Sequence, residues 1–201
     1  MELIAGENQF IVSLKENGCT FKFDFSKVYW NSRLSTEHYR VFTKISKIDT
    51  VYDVCAGVGP FAIPAAKIQG ARRVVANDLN PDCVHWFRAS AEANGISMIQ
   101  THNCDAVTFI REILRADVVN NFSSGALGIG SDIVANTSSP RDQLPKIHVI
   151  INLPALAVTF MGTFVGLFRG MPLMPETLSQ FYVHVYTFSR SDNPVMDGRK
   201  Q

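Results

Sequence analysis

Four cysteines in 201 residues, with no Cys-x-x-Cys pair among them, leave neither a zinc ribbon nor a disulfide framework to build on, and no metal site is expected. Cys19, Cys55, Cys83 and Cys104 are scattered, as thiols are in a reducing compartment. A strong charge excess is also missing. The 19 Lys and Arg against 18 Asp and Glu give a net charge of +1, so no basic field announces a nucleic-acid partner. A local patch or a separate domain would have to carry such charge. No apolar run reaches the roughly 18 residues of a membrane span. The nearest, "VIINLPALAVTFMGTFVGLF" at 149–168, is interrupted by Asn152 and Pro154 and reads as a buried strand followed by a buried helix.

What is present is alternation. A hydrophobic share of 46% suffices for one α/β domain with a real core. "FIVSLKENGCTFKFDF" (10–25) holds two apolar runs around Glu16-Asn17-Gly18, a hairpin signal. Residues 27–46 start extended and turn helix-like, with Ser35 or Thr36 as N-cap and Glu37 in the first turn. Strands then alternate with helices: strand 51–55, helix 61–68, strand 73–76, helix 81–94 stopped by Gly95, strand 98–102, helix 106–116. Residues 119–145, rich in Asn, Ser, Gly and Pro, read as a flexible insertion. A strand at 147–151, a mostly helical 155–168 and a strand at 181–188 close the pattern. This order predicts an α/β fold with a doubly wound, mostly parallel sheet. The division expected is a hairpin and substrate-side segment at 1–48 and a ligand-binding domain at 49–201.

In such a sheet the ligand lies at the carboxyl ends of the strands, where the strand order reverses. Asp53, Ala56, Gly57 and Gly59 form the loop after the first parallel strand, small residues where backbone must approach a ligand. A phosphate-binding loop would need Gly-Lys-Ser/Thr, which is absent, and Ala62 stands where a dinucleotide fingerprint needs its third glycine. Asp78, at the end of the next strand, is placed to accept hydrogen bonds from both hydroxyls of a ribose. Asp105, after the third, is placed to accept from an adenine amino group. Together these loops suit S-adenosylmethionine, an adenosine with no phosphates to cradle. The alternatives are a tight turn for the glycines and helix caps for Asp78 and Asp105. Asn152, at the end of the fourth strand, faces the same crevice, with Pro154 pinning the backbone beyond it. That pair suits the orientation of a planar nitrogen heterocycle, or else an ordinary strand-end turn.

"YWNSRLSTEHYR", "DVCAGVGPFAIPAAK", "ANDLNP" and "INLPALAVTFM" together resemble the archaeal and eukaryotic tRNA N1-guanine methyltransferases, over nearly all of residues 2–190 outside the insertion. That resemblance implies S-adenosylmethionine as cofactor, tRNA as partner and guanosine 37, just 3′ of the anticodon, as target. It implies Glu37 and Asn152 flanking the guanine, with Tyr29 and Arg33 nearby. It places His38, Asp78 and Leu79 against the cofactor, and it maps the adenine loop to Asn103-Cys104-Asp105-Ala106. Ala106 replaces the usual glycine, so backbone contact there needs a negative φ. The chemistry expected is proton removal from N1 by Glu37, a carboxylate tuned by partial burial. Arg33 or the Asn152 amide would donate to the charge growing on O6, and Tyr29 would stack on the flipped base.

Family members carry an N-terminal domain that grips the tRNA elbow and continue into further strands. The 201 residues are therefore expected to bind cofactor but to methylate tRNA poorly by themselves. The family occurs in cytoplasm, nucleus and mitochondria; a cytoplasmic monomer without membrane association is the expectation. The rival readings are aminocarboxypropyl transfer in wybutosine synthesis, a catalytically silent tRNA-binding module and a small-molecule methyltransferase.

Overall fold

The computed structural model describes residues 5–7, 9–122, 144–173 and 175–188. Strands β1 (Ile11–Glu16) and β2 (Cys19–Asp24) pair antiparallel, from Glu16 opposite Cys19 to Ile11 opposite Asp24. Asn17 and Gly18 connect them, both at positive φ (47° and 75°), the two-residue turn that matches strand twist. β2 buries Cys19, Phe21 and Phe23 and leaves the alternate residues outward.

A 3-10 turn, Ser32–Leu34, leads into α1 (Ser35–Phe42). The cap is not Ser35 or Thr36, as expected from the sequence. Asn31 accepts from the Arg33 amide and caps the 3-10 turn instead, and Ser35 is already helical. The expected alternation then follows: β3 (Thr50–Asp53), α2 (Ala62–Lys67), β4 (Arg73–Asn77), α3 (Pro81–Ala93) and β5 (Gln100–His102). Next come α4 (Ala106–Thr108), a π-helical stretch Phe109–Leu114 and α5 (Arg115–Phe122). The helix thus runs past 119 into the segment read as a flexible insertion, most of which lies outside the described residues. β6 (Ile147–Asn152), a 3-10 segment Ala157–Phe164, α6 (Pro175–Ser179) and β7 (Phe181–Tyr186) complete the order.

The expected buried helix after β6 is therefore a partly exposed 3-10 segment, with Val165 at its C-cap 82% exposed. The Thr159 hydroxyl donates to the Leu156 carbonyl at 2.6 Å, and Gly166 turns at φ +70°. A hydroxyl competing for a backbone carbonyl and a residue in left-handed conformation both interrupt a regular α-helix.

The five strands lie in the order β5-β4-β3-β6-β7, every pair parallel. The order reverses between β3 and β6. One sheet face carries Val51, Val74, Ala76 and Ile150 and shares its core with Phe21, Phe23, Phe42, Phe61 and Phe87, so the hairpin is welded to this face. The opposite face carries Tyr52, Val75, Val149 and Ile151 against Phe109, Ile110 and Leu114. Two side chains of α3 stand in for a third hairpin strand. Ser90 accepts from the Lys22 amide (3.0 Å) and donates to its carbonyl (3.2 Å). Asn94 does the same with Thr20, at 2.9 and 2.6 Å. The outer edge of β2 is thereby satisfied and covered.

On β6 and β7, His148 is buried beside His184, Nδ1 to Nε2 2.9 Å, with the Asp49 carboxylate 3.5 Å from the other ring nitrogen. Burial first, then His148, Lys44 and Arg40, push His184 down to about 4. The unfolded chain therefore binds a proton that the folded chain refuses between about pH 6.5 and 4. Stability present above that window is lost as the pH falls through it. Relative to His184→Gln, the natural protein is expected to lose about 2 kcal/mol of unfolding free energy on acidification from pH 7 to 4, a figure discounted because the ring is partly solvated. Urea titrations of both proteins across that range check it; parallel curves would remove the imidazole pair as an acid-sensitive element.

Candidate active site

The strand ends carry the predicted residues to one region. Asp53 ends β3, fully buried, and neither of its carboxylate oxygens has a hydrogen-bond partner among the described residues. Burial first, and the negative charge of Asp78 next, push its carboxyl up to about 8, with the Ala62 amide opposing. The glycine loop follows. The Ala56 amide donates to the Asn77 carbonyl at 2.8 Å, and the Gly57 amide donates to Asp78 Oδ2 at 2.8 Å. Gly59 turns at φ +95°, and a Cβ there would sit 2.7 Å from Phe87 and 2.8 Å from Ile63, so only glycine fits. A Cβ on Gly57 would meet nothing within 4 Å, so that side of the loop is open to a ligand.

Asp78 is not a helix cap. Asn80 caps α3 by accepting from Asp82, while Asp78 accepts from the amides of Gly57 and Asn80 and bridges two loops. Leu79 beside it is 69% exposed. Asn103 donates to the carbonyls of Asp78 and Leu79, tying the third loop to the second. Asp105 does cap a helix: it accepts from Val107 and Thr108 at the start of α4, and it is exposed. Ala106 opens that helix and is not among the positive-φ residues, so the condition for replacing glycine is met.

Sequence reasoning passed over the residue that joins these loops. Asn77, 2% exposed, donates to the carbonyls of Val54 and Cys104 at 3.0 Å each and accepts from the Cys104 amide at 3.0 Å. Every strand-end loop on this half of the sheet is thereby locked to one amide. The signal was available, because an asparagine in an otherwise apolar strand must find partners. The charges of all three carboxylates act on Cys55, whose thiol is pushed up to about 12 by burial, then Asp53, Asp78 and Asp105. No Lys or Arg occurs in 52–66, 76–81 or 102–110. Such a crevice repels a polyphosphate and fits a neutral or cationic adenosine derivative.

On the far side of the reversal, β6 runs two residues past the end of β3 to Asn152. Its side-chain amide makes no hydrogen bond among the described residues and stays available to a ligand, with Pro154 following in partly exposed backbone. Asn152 pairs in register with Tyr186 of β7. The Tyr186 hydroxyl donates to Glu37 Oε2 at 3.4 Å, which ties Glu37 to a side chain from the end of β7. Arg40 donates to the same oxygen at 2.8 Å. The Glu37 side chain is 41% exposed, so its burial is only partial.

Arg33 is exposed, and Tyr29 is 75% exposed, which excludes a core role for the tyrosine. His38 faces inward, its Nδ1 2.7 Å from Glu16 Oε1 and its ring edge-on to Phe61 at 4.8 Å. With Asn17 donating to the Ser35 carbonyl, this contact fixes the hairpin turn against the first turn of α1. Among the described residues, no cluster of three His, Cys, Asp or Glu side chains is placed to hold a metal. Nor is any helix there long and apolar enough to cross a membrane.

Strand order, small and acidic residues at the ends of β3, β4 and β5, and Asn152 across the reversal give a doubly wound domain with the layout of the methyltransferase class. Residues 12–128 match the family model of the TRM5/TYW2 methyltransferase domain, and the chain belongs to that family. It is 43% identical to a tRNA (guanine(37)-N(1))-methyltransferase of Danio rerio over 98% of this chain and 37% of that protein. The chain thus spans little more than a third of that relative's length. It also resembles Methanocaldococcus jannaschii Trm5 solved in complex with adenosine (TM-score 0.61, 26% identity, 92% of this chain and 45% of that one). A solved complex of aTrm5 with tRNALeu is similar over 98% of this chain and 46% of that one (TM-score 0.59, 26% identity).

Proposed function

We propose that the protein containing this chain methylates N1 of guanosine 37 in tRNA, with S-adenosylmethionine as methyl donor. One observation carries this reading furthest. Tyr186 pairs in register with Asn152 and its hydroxyl reaches Glu37, which supports a site in which that acid and that amide flank the target base. The relatives named for this reaction, and the neighbours solved with adenosine and with tRNALeu, support it.

When bound, the cofactor would supply an electrophilic methyl group, with Asp78 holding the ribose and the loops of Gly57 and Ala106 lining the adenine. Guanine N1 is protonated at neutral pH and is no nucleophile until that proton leaves. Glu37 takes the N1 proton through a carboxylate oxygen. The charge that grows on O6 is met by the Asn152 amide or the Arg33 guanidinium. Tyr29, exposed at the rim, offers a ring for the extruded base to stack on. Arg33 and Tyr29, both exposed, lie just before α1 in the chain.

The test is product analysis. The full-length protein, S-adenosylmethionine and unmodified tRNA transcripts with G or A at position 37 are incubated, and the digested nucleosides are weighed by mass spectrometry. A single methyl on the G37 transcript, positioned at N1, and none on the A37 transcript is the expected result. A third incubation supplies tRNA that carries a wybutosine-type modified guanosine at position 37, because that transfer needs a modified acceptor; an aminocarboxypropyl mass increment there, with no methyl on the G37 transcript, would replace this reading with the wybutosine-type transfer. No adduct despite cofactor binding would replace it with the silent module.

A further inference from the structure

The end of β7 supplies a side chain that the chemistry above does not use. Glu37 has two carboxylate oxygens, and the structure treats them differently. Both donors that reach it, Arg40 Nε at 2.8 Å and the Tyr186 hydroxyl at 3.4 Å, fall on Oε2. Oε1 has no partner among the described residues. An ionised carboxylate held by one oxygen presents the other in a fixed direction, which is what proton abstraction from a planar ring requires.

The two donors are not equivalent. The Arg40 side chain is 54% exposed on a flexible stem, three residues along the same helix as Glu37. Such a pair holds its geometry loosely. Tyr186 comes from the sheet. Its ring lies 5.7 Å from that of Phe61, which is 1% exposed and follows the glycine loop, and its backbone pairs with Asn152. The hydroxyl is therefore anchored to the same rigid elements that carry the cofactor loop and the acceptor amide. Burial first, and the Glu37 charge next, push the phenol up to about 12, so it stays a donor at working pH. The 3.4 Å separation is long for an O–H···O bond, as such contacts are before substrate closes the site.

We propose that Tyr186 is a positioning residue that fixes the Glu37 carboxylate from the end of β7, acting through Glu37 and not on the substrate; this rests on Glu37 being the base.

The experiment is a double-mutant cycle in the full-length protein, using single-turnover methyl transfer to G37 tRNA, with S-adenosylmethionine affinity measured by calorimetry. Tyr186→Phe keeps the ring against Phe61 and removes only the hydroxyl. The expected loss is about tenfold in the rate of methyl transfer, with the KM for tRNA and the cofactor affinity within about twofold of the natural protein. In a Glu37→Gln background the same change is expected to cost less than about twofold, because the group it orients is gone. A full-rate Tyr186→Phe enzyme, or a tenfold loss that persists in the Glu37→Gln background, overturns the proposal. Lost cofactor affinity does so too, since it would make the hydroxyl a support of the fold. A Glu37→Gln enzyme at the natural rate is a different failure: it removes Glu37 as base, and the inference with it, whatever Tyr186→Phe does.

Discussion

Asn77→Asp is expected to abolish cofactor binding and to lower stability by about 3–5 kcal/mol at neutral pH. The substitution is nearly isosteric, so no cavity opens and no clash arises. What changes is polarity. Asn77 Nδ2 gives its two hydrogens to the Val54 and Cys104 carbonyls. A carboxylate would set lone pairs against both of those oxygens in a site 2% exposed. It would also set a negative charge in the company of Asp78, next to the Asp53 carboxyl already pushed up to about 8. With the Val54 and Cys104 carbonyls repelled, the loops after β3 and β5 would part from the end of β4, although the Cys104 amide keeps an oxygen to donate to. Urea unfolding and calorimetry with S-adenosylmethionine read the two effects separately. The stability gap between the two proteins should narrow toward acid pH, where the new carboxyl is neutral and regains one donor. A variant that binds cofactor normally would show that the strand-end loops hold their positions without this amide.

Much of the scaffold could be read in advance because its signals are local. Period-two burial in Cys19, Phe21 and Phe23, the Asn17-Gly18 turn and the Gly95 stop each follow from the chemistry of adjacent residues. The strand-end carboxylates were legible because topology puts ligands there, and the structure has Asp53 close enough to feel the charge of Asp78. Three features were missed. The 3-10 segment after β6 is a continuous apolar run without a period, so its sequence does not separate a buried helix from an irregular chain. The strand mimicry of Ser90 and Asn94 depends on a helix docking 68 and 74 residues away in sequence from its partners. Asn77 was overshadowed by Asp78, whose charge suggested a ligand, although the uncharged neighbour organises the loops. The resemblance pointed to Glu37 and Asn152, but only the pairing of β6 with β7 sets Tyr186, which reaches Glu37, in register with Asn152.

Replacing Glu37 by glutamine is expected to slow methyl transfer by about 10²–10⁴-fold, the range for a lost general base, and to leave cofactor affinity within about twofold. Glutamine retains an oxygen to accept from Arg40 and Tyr186, so the first turn of α1 keeps its contacts. His38, held by Glu16 and Phe61, keeps the helix seated on the core. The loss would thus fall on chemistry rather than on folding. A rate measured at one pH cannot separate a base from a residue that merely orients the guanine, but the pH dependence can. If Glu37 removes the N1 proton, solvent takes over that task as the pH approaches the range where guanine N1 ionises in water. The Glu37→Gln enzyme should then recover part of its rate, while the natural enzyme gains little. A side chain that only positions the base gives no such recovery, because an ionised guanine in the wrong place is no better aligned with the methyl group. Single-turnover rates for both proteins, from neutral pH to the onset of alkaline unfolding, decide between the two roles. A constant ratio between them across that range would assign the proton to another acceptor.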